Sequence, residues 1–179
     1  MRIITGKYKG RHFDIPRTFK ARPTTDFAKE NLFNVLTRYV DFDDAVALDL
    51  FSGTGSISLE LVSRGCRQVV SVEQDRDHHR FILQCVQKLQ ETDRVQCLRA
   101  DVFRFLKGKS GLLQFDFVFA DPPYALKELS SLPDAVLEKG ILKEGGVFVL
   151  EHGKDYDFSQ HSRFVEHRQY GSVNFTLFR

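Results

Sequence analysis

The 179-residue chain contains no tryptophan, one methionine, five prolines and three cysteines. Cys66, Cys85 and Cys97 are an odd number with no C-x-x-C pair, which excludes a disulfide framework and a zinc knuckle and reads as free thiols in a reducing compartment. The longest apolar stretches, such as Phe115 to Ala120 interrupted by Asp116, fall far short of the roughly eighteen residues that cross a bilayer. The opening MRIITGKYKG lacks the apolar block of a signal peptide, so the expected location is cytoplasmic, without a membrane partner. Among six histidines, His78 and His79 are adjacent and would diverge on a helix, and no metal site is expected. There is no internal repeat, low-complexity segment or flexible linker. In place of tryptophan stand seventeen phenylalanines, which predict an aromatic-rich core.

Hydrophobic residues make up 42% of the chain and charged residues 28%, so a real core can form. At about 100–200 residues per domain, the length predicts one compact domain, and a monomer is the expected state. The net charge is only +2, but seven Lys or Arg (Arg2, Lys7, Lys9, Arg11, Arg17, Lys20, Arg22) stand against one acid, Asp14, in residues 1–22. A basic N-terminal extension over 1–24 on a mildly acidic body of 25–179 is the pattern of a polyanion-binding appendage, because lysine and arginine neutralise phosphates and release counterions. Phe13 and Phe19 within it are read as anchors onto the body.

From residue 46 onward short apolar runs alternate with helix-like stretches, the signature of a parallel α/β sheet. Strands are predicted at Val46–Phe51, Gln68–Glu73, Val95–Asp101, Phe115–Asp121 and Gly146–Glu151. The tail over 163–170 and 173–178, joined around Tyr170-Gly171-Ser172, reads as an antiparallel hairpin because the connection is too short for a crossover. Apolar stripes predict helices over 26–39, over Ser56–Arg64 with Gly65 as C-cap, and from about Asp77. Glu73, Asp101, Asp121 and Glu151 end predicted strands, with Asp49 just inside the first. In an open α/β sheet ligands sit beyond the carboxyl ends of the strands, so these acids are expected to converge on one crevice.

Two segments carry chemistry. VALDLFSGTGSISLE (46–60) places a glycine-rich turn between strand and helix, an arrangement that brings backbone close to a nucleotide-like ligand. Ser58 occupies the position where a dinucleotide fingerprint needs Gly or Ala. Asp49 could pair with a cationic group and Glu73 could accept both hydroxyls of a ribose, a pattern that S-adenosylmethionine satisfies. FDFVFADPPYA (115–125) is more specific. Pro122 and Pro123 remove backbone N–H groups and fix φ, leaving a rigid turn that presents acceptors. The Asp121 carboxylate and the Pro122 carbonyl can hold the two hydrogens of an exocyclic base amine while Tyr124 stacks on the ring.

Asp121-Pro122-Pro123-Tyr124, with Asp49-Leu50-Phe51-Ser52-Gly53-Thr54-Gly55 and Glu73, resembles the class I S-adenosylmethionine-dependent methyltransferases that modify exocyclic amines. MRIITGKYKGR, Arg22-Pro23-Thr24-Thr25-Asp26 leading into Glu30-Asn31-Leu32-Phe33-Asn34, Ser63-Arg64-Gly65 and Tyr170-Gly171-Ser172-Val173 extend the resemblance over the whole chain. The family resembled is the bacterial small-subunit (16S) ribosomal RNA guanine-N2 methyltransferases. Where that family usually has Ala-Gly-Ser-Gly this chain has Ser52-Gly53-Thr54-Gly55, and Phe27-Ala28-Lys29 departs from its usual pattern.

The resemblance implies a Rossmann-like fold with a seven-stranded, mostly parallel sheet whose last strand pair is antiparallel. It implies S-adenosylmethionine as cofactor, with Asp49, Gly53 and Gly55 at its methionine end and Phe51 in the same turn. Glu73 would hold the ribose, Asp101 the adenine amine, and Val102 and Phe103 would border the ring. Asp121, Pro122, Pro123 and Tyr124 would form the catalytic turn. Lys7, Lys9, Arg11, Arg22 and Thr24 would contact 16S ribosomal RNA within a small-subunit assembly, and Thr24 or Thr25 would cap the following helix. The competing readings are an adenine-N6 nucleic-acid methyltransferase, a nicotinamide-dependent oxidoreductase and a non-catalytic ribosome-assembly factor.

Overall fold

The computed structural model describes residues 1–20, 23–108 and 113–179; Arg22 lies outside the described residues. Helix α1 spans Asp26–Leu36, and Thr25 is its N-cap, with Oγ1 accepting the Ala28 N–H at 3.2 Å. It stops short of the predicted residue 39 at the C-cap Thr37, whose hydroxyl donates back to the Asn34 carbonyl at 2.8 Å. The elements that follow are β1 (Val46–Leu50), α2 (Ser56–Ser63), β2 (Gln68–Val72), α3 (Arg76–Leu89), β3 (Val95–Leu98) and α4 (Val102–Gly108). Then come β4 (Phe115–Ala120), a 3-10 turn at Leu129–Ser131, α5 (Leu132–Leu137), β5 (Leu142–His152), β6 (Phe164–Tyr170) and β7 (Val173–Phe178).

The seven strands form one sheet in the order β3-β2-β1-β4-β5-β7-β6. The first five are parallel, and β7 runs antiparallel to both β5 and β6. Strands β1, β2, β3 and β4 end one to three residues before the predicted limits, so their terminal acids stand in the loops just beyond the ladder. The chain builds outward from β1 to β2 and β3, then returns to the other side of β1 as β4. That reversal opens a crevice above the carboxyl ends of β1 and β4.

Strand alternation sends side chains to two apolar layers. Ala47, Val69, Val95, Phe117 and Val147 face α1, α2 and α3. Leu48, Val70, Val118 and Phe148 face α4 and α5. Both faces of the central strands are covered, which is why they read as nearly continuous apolar runs.

The basic N-terminal segment is folded against this body. Residues Arg2 and His12 pair as a short antiparallel bridge, Ile3 and Phe13 are buried in the layer with α1 and α2, and Phe19 sits on His78 and Phe81 of α3. The staple is a buried ion pair. Lys29 of α1 and Glu60 of α2, both 0% exposed, approach to 3.4 Å. Glu60 also accepts the backbone N–H groups of Ile4 (2.8 Å) and Thr5 (3.0 Å) and the Arg64 Nε (2.9 Å). Lys29 Nζ donates to the Arg2 carbonyl at 2.7 Å and to Ser56 Oγ at 3.0 Å. Burial lowers the Lys29 pKa, and Glu60 opposes that shift. At the tip of the segment Gly6 has φ +90 and passes so close to the Ser63 carbonyl that a Cβ would lie 1.9 Å from its oxygen, so only glycine fits.

Removing one partner of a buried pair leaves an uncompensated charge. Glu60→Ala should therefore cost about 3–5 kcal/mol in urea unfolding. A loss under about 1 kcal/mol would show that the pair does not hold the segment.

Candidate active site

The strand register fixes which acids meet. Leu50 pairs with Val72 and with Ala120, and Ala120 pairs with Leu150. One residue further along, Glu73, Phe51, Asp121 and Glu151 therefore fall in a single row across the carboxyl edge. Asp121, just past β4, and Glu151, near the end of the adjacent β5, are about 5 Å apart in strand spacing, with Glu73 about 10 Å from Asp121 on the other side. Asp49 lies one level deeper, paired in register with Ser71.

The glycine turn between β1 and α2 is built by carboxylates. Phe51 takes φ 57, Gly53 φ 55 and Gly55 φ 77, the last as the N-cap of α2. A Cβ on Gly55 would come within 2.9 Å of Ile82, so helix α3 also forbids one. Asp49, 1% exposed, accepts the Ser58 N–H at 3.0 Å and the Ser58 hydroxyl at 2.6 Å. Glu73 accepts the Gly53 N–H at 2.7 Å with one oxygen and the Asp75 N–H at 2.8 Å with the other. Two N–H groups of this turn, those of Gly53 and Ser58, are thus already bound by carboxylates, and an anion placed there would meet two negative charges. Each Glu73 oxygen keeps a lone pair for a ribose hydroxyl, and the buried Ser71 hydroxyl beside Asp49 has no partner among the described residues. This donor set fits a cationic, phosphate-free nucleoside such as S-adenosylmethionine and not a dinucleotide.

On the same side Asp101 precedes α4 and accepts the Arg104 N–H at 2.8 Å, with its other oxygen exposed to a ligand. Val102 is buried behind it, and Phe103 meets Phe51 edge to face at 6.4 Å between ring centres. The predicted cofactor residues Asp49, Phe51, Gly53, Gly55, Glu73, Asp101, Val102 and Phe103 therefore lie over the carboxyl ends of β1, β2 and β3.

Over β4 and β5 lies the second half of the crevice. Asp121 is half-buried, its N–H bonded to the Leu50 carbonyl at 3.3 Å. Pro123 supplies its carbonyl to the Leu126 N–H at 2.8 Å, while no N–H among the described residues donates to the carbonyl of the buried Pro122. The Tyr124 ring, 47% exposed, lies against Gly153, and its hydroxyl donates to Glu151 Oε1 at 3.3 Å. Glu151 Oε2 accepts the Thr24 hydroxyl at 3.0 Å. Thr24 is buried, and its bond ties the segment before α1 to the end of β5. Sequence reasoning placed Glu151 among the converging acids without a role; the signal was its position at a strand end, and its pairing with Tyr124 depends on register.

Burial and mutual repulsion raise the acids of the crevice. Burial pushes Asp49 up to about 7 against the Ser58 bonds. Asp121 stands well above the usual carboxylate range, first through burial and then through the charges of Glu151 and Asp49. Glu151 is pushed up to about 7 by burial, opposed by Thr24 and Tyr124. A cation bound among them would draw all three toward the ionised form.

The predicted RNA-contacting residues divide. Lys7, Lys9 and Arg11 lie in or beside the exposed turn of the N-terminal segment. Lys7 Nζ is 3.2 Å from Glu91, just past the end of α3, and its N–H donates to Ser63 at the end of α2. This turn sits at the amino edge of the sheet, about 20 Å from the crevice along the 14 residues of α3. Among the described residues no group of His, Cys, Asp and Glu could hold a metal ion, and no helix is long and apolar enough to cross a membrane.

Comparison with known proteins agrees with this geometry. The family model described as "Conserved hypothetical protein 95" matches residues 1–179. The Bacillus subtilis (strain 168) protein named "Putative rRNA methyltransferase YlbH" is 34% identical over 164 residues, 89% of this chain and 86% of its own. The "Ribosomal RNA small subunit methyltransferase D" of Haemophilus influenzae is 30% identical over 156 residues, 87% of this chain and 80% of its own. The solved Escherichia coli structure "Putative methyltransferase yhhF" superposes with a TM-score of 0.85 at 26% identity, over 99% of this chain and 96% of that one. The fold is thus the Rossmann-like methyltransferase fold, its seven-stranded sheet closing with an antiparallel pair.

The raised Glu151 pKa has a sign. The folded state keeps its proton where the unfolded chain has lost it, so this contribution to stability is full below about pH 4.5 and disappears as pH rises through about 7. Thermal unfolding from pH 5 to 8 should therefore show Glu151→Gln losing less stability than the wild type; parallel curves would contradict the shift.

Proposed function

The chain belongs to the Conserved hypothetical protein 95 family, and from that premise we propose that it transfers a methyl group from S-adenosylmethionine to the exocyclic N2 amine of a guanine in 16S ribosomal RNA. The observation that carries this reading is the Pro122 carbonyl left without a donor next to Asp121 in the chain, above a turn in which acids already bind the Gly53 and Ser58 N–H groups. The family relatives named for ribosomal RNA methylation support the RNA as substrate.

The bound cofactor supplies a methyl group already activated by its positively charged sulfur. The chain therefore has to orient the nucleophile more than to generate it. A guanine N2 is planar because its lone pair is delocalised into the ring. Asp121 and Pro122 accept its two hydrogens and turn that lone pair toward the methyl group, while Tyr124 supports the flat face of the base. Asp121 accepts best as the carboxylate, and a cation held beside it would favour that form against the burial that raises its pKa. Once N2 carries the methyl group it is cationic and acidic, and its proton passes to Asp121, with Glu151 as a second acceptor one strand away. The nicotinamide reading fails at the glycine turn, where Asp49 and Glu73 hold the places of the phosphates.

Lys7, Lys9 and Arg11 would add phosphate contacts beyond the crevice. The protein would work as a cytoplasmic monomer on RNA in a partly assembled small subunit.

Incubation with isotope-labelled S-adenosylmethionine and undermodified small subunits, followed by nucleoside analysis, should yield N2-methylguanosine. Asp121→Ala should slow the single-turnover rate by about 10²–10³. Tyr124→Ala should lose about 1–3 kcal/mol of base stacking, while Tyr124→Phe stays close to wild type. Labelled N6-methyladenosine would move the assignment to adenine, and absence of transfer with intact cofactor binding would favour an assembly factor.

A further inference from the structure

The turn bearing Lys7 and Lys9 lies at the far edge of the sheet, so RNA held at Asp121–Tyr124 needs cations nearer the carboxyl edge. One cluster there has no place in the catalytic site. On the outer face of α3, Arg76, His79, Arg80 and Leu83 line an open concavity of about 530 Å³ together with Arg99. Arg76, Arg80 and Leu83 share one helix face by their i, i+4 and i+3 spacing, and His79 Nε2 ties that face to the Cys97 carbonyl of β3 at 3.2 Å.

Three features set this surface apart from an ordinary solvated helix face. No carboxylate lines it. Arg80 has only a loose, exposed contact to Asp77 at 3.8 Å, and Arg76 and Arg99 have no carboxylate within ion-pair distance among the described residues. Arg99 also continues the row of the active site: Leu98 pairs with Val72, so the next residues, Arg99 and Glu73, stand side by side. The cations thus begin where the row of acids ends, about 10 Å, or two strand spacings, from the end of β1.

We propose that Arg76, Arg80 and Arg99 form a phosphate-binding surface that holds the RNA strand flanking the target guanine on the cofactor side of the crevice. The inference rests on the RNA substrate proposed above and names the part of the surface that grips it. An uninterrupted guanidinium cluster suits a polyanion, because each arginine can present a planar fork to phosphate oxygens and release the counterions condensed there. A nucleic acid lying across the sheet edge would meet these groups before reaching Lys7 and Lys9.

The test is the salt dependence of affinity for an unmodified 16S ribosomal RNA transcript, measured on the full chain as wild type, as the triple variant Arg76→Gln, Arg80→Gln, Arg99→Gln, and as the double variant Lys7→Gln, Lys9→Gln. Each phosphate left without its cation makes the slope of log affinity against log salt shallower by about 0.7–0.9. In the triple variant the slope should become shallower by about 2, and affinity near 100 mM salt should fall at least tenfold. Its melting temperature and its affinity for S-adenosylhomocysteine by calorimetry should match the wild type. A slope unchanged in the triple variant, with the wild type binding RNA, overturns this surface alone. A wild type that binds the cofactor but not the RNA overturns the substrate reading and this surface with it.

Discussion

Asp49 and Ser58 are joined by two hydrogen bonds, one to the backbone N–H and one to the hydroxyl, in a site with almost no solvent contact. With the bond from Gly53 to Glu73, they clamp the first turn of α2 to the ends of β1 and β2. A strand-to-helix turn with two glycines at positive φ is otherwise a generic anion site, since the helix start offers free N–H groups and a favourable dipole. Here carboxylates take two donors of the turn, the N–H groups of Gly53 and Ser58. The same contacts that fix the backbone therefore change the charge the site accepts, from a phosphate to a cation carried on a ribose. The choice of cofactor is made by that clamp.

The reversal of strand order at β1 brings a second set of acids to the same edge. Like charges one strand apart in a low-dielectric crevice are unfavourable, and the structure spreads that cost through hydrogen bonds from Thr24 and Tyr124 to Glu151. Binding of a positively charged nucleoside relieves the repulsion. A cation bound there would favour the ionised form of Asp121, which burial and the neighbouring acids disfavour. Thr24 extends the hydrogen bonds to the N-terminal segment, whose other end is stapled by Lys29 and Glu60.

Much of this was legible in the sequence. Each parallel strand announced itself by a short apolar run, the hairpin by a connection of two residues, Gly171 and Ser172, and the two chemical turns by residue types that no packing argument demands. The acids at the strand ends could be counted, but their partners could not. Whether Glu151 stands beside Asp121 or three strands away is a matter of strand order and register, which depend on contacts between distant segments. Thr24 illustrates the same limit: its neighbour Thr25 follows a local capping rule, whereas the bond from Thr24 to Glu151 spans 127 residues. The basic extension was legible as charge and, through Phe13 and Phe19, as an arm anchored on the body, but its path was not. Its buried Ile3, Ile4 and Phe13 alternate too irregularly to predict a docked hairpin, and Lys29, which shares the buried face of α1 with Leu32, Phe33 and Leu36, is the buried cation that receives it.

The central claim is geometric: the turn after β4 holds an exocyclic amine by both hydrogens. A crystal structure of the protein with S-adenosylhomocysteine and guanosine tests it most directly. The account predicts the guanine N2 at hydrogen-bond distance, about 2.7–3.2 Å, from both the Asp121 carboxylate and the Pro122 carbonyl, with the ring against Tyr124. A guanine bound in the crevice with N2 turned away from both acceptors would contradict it.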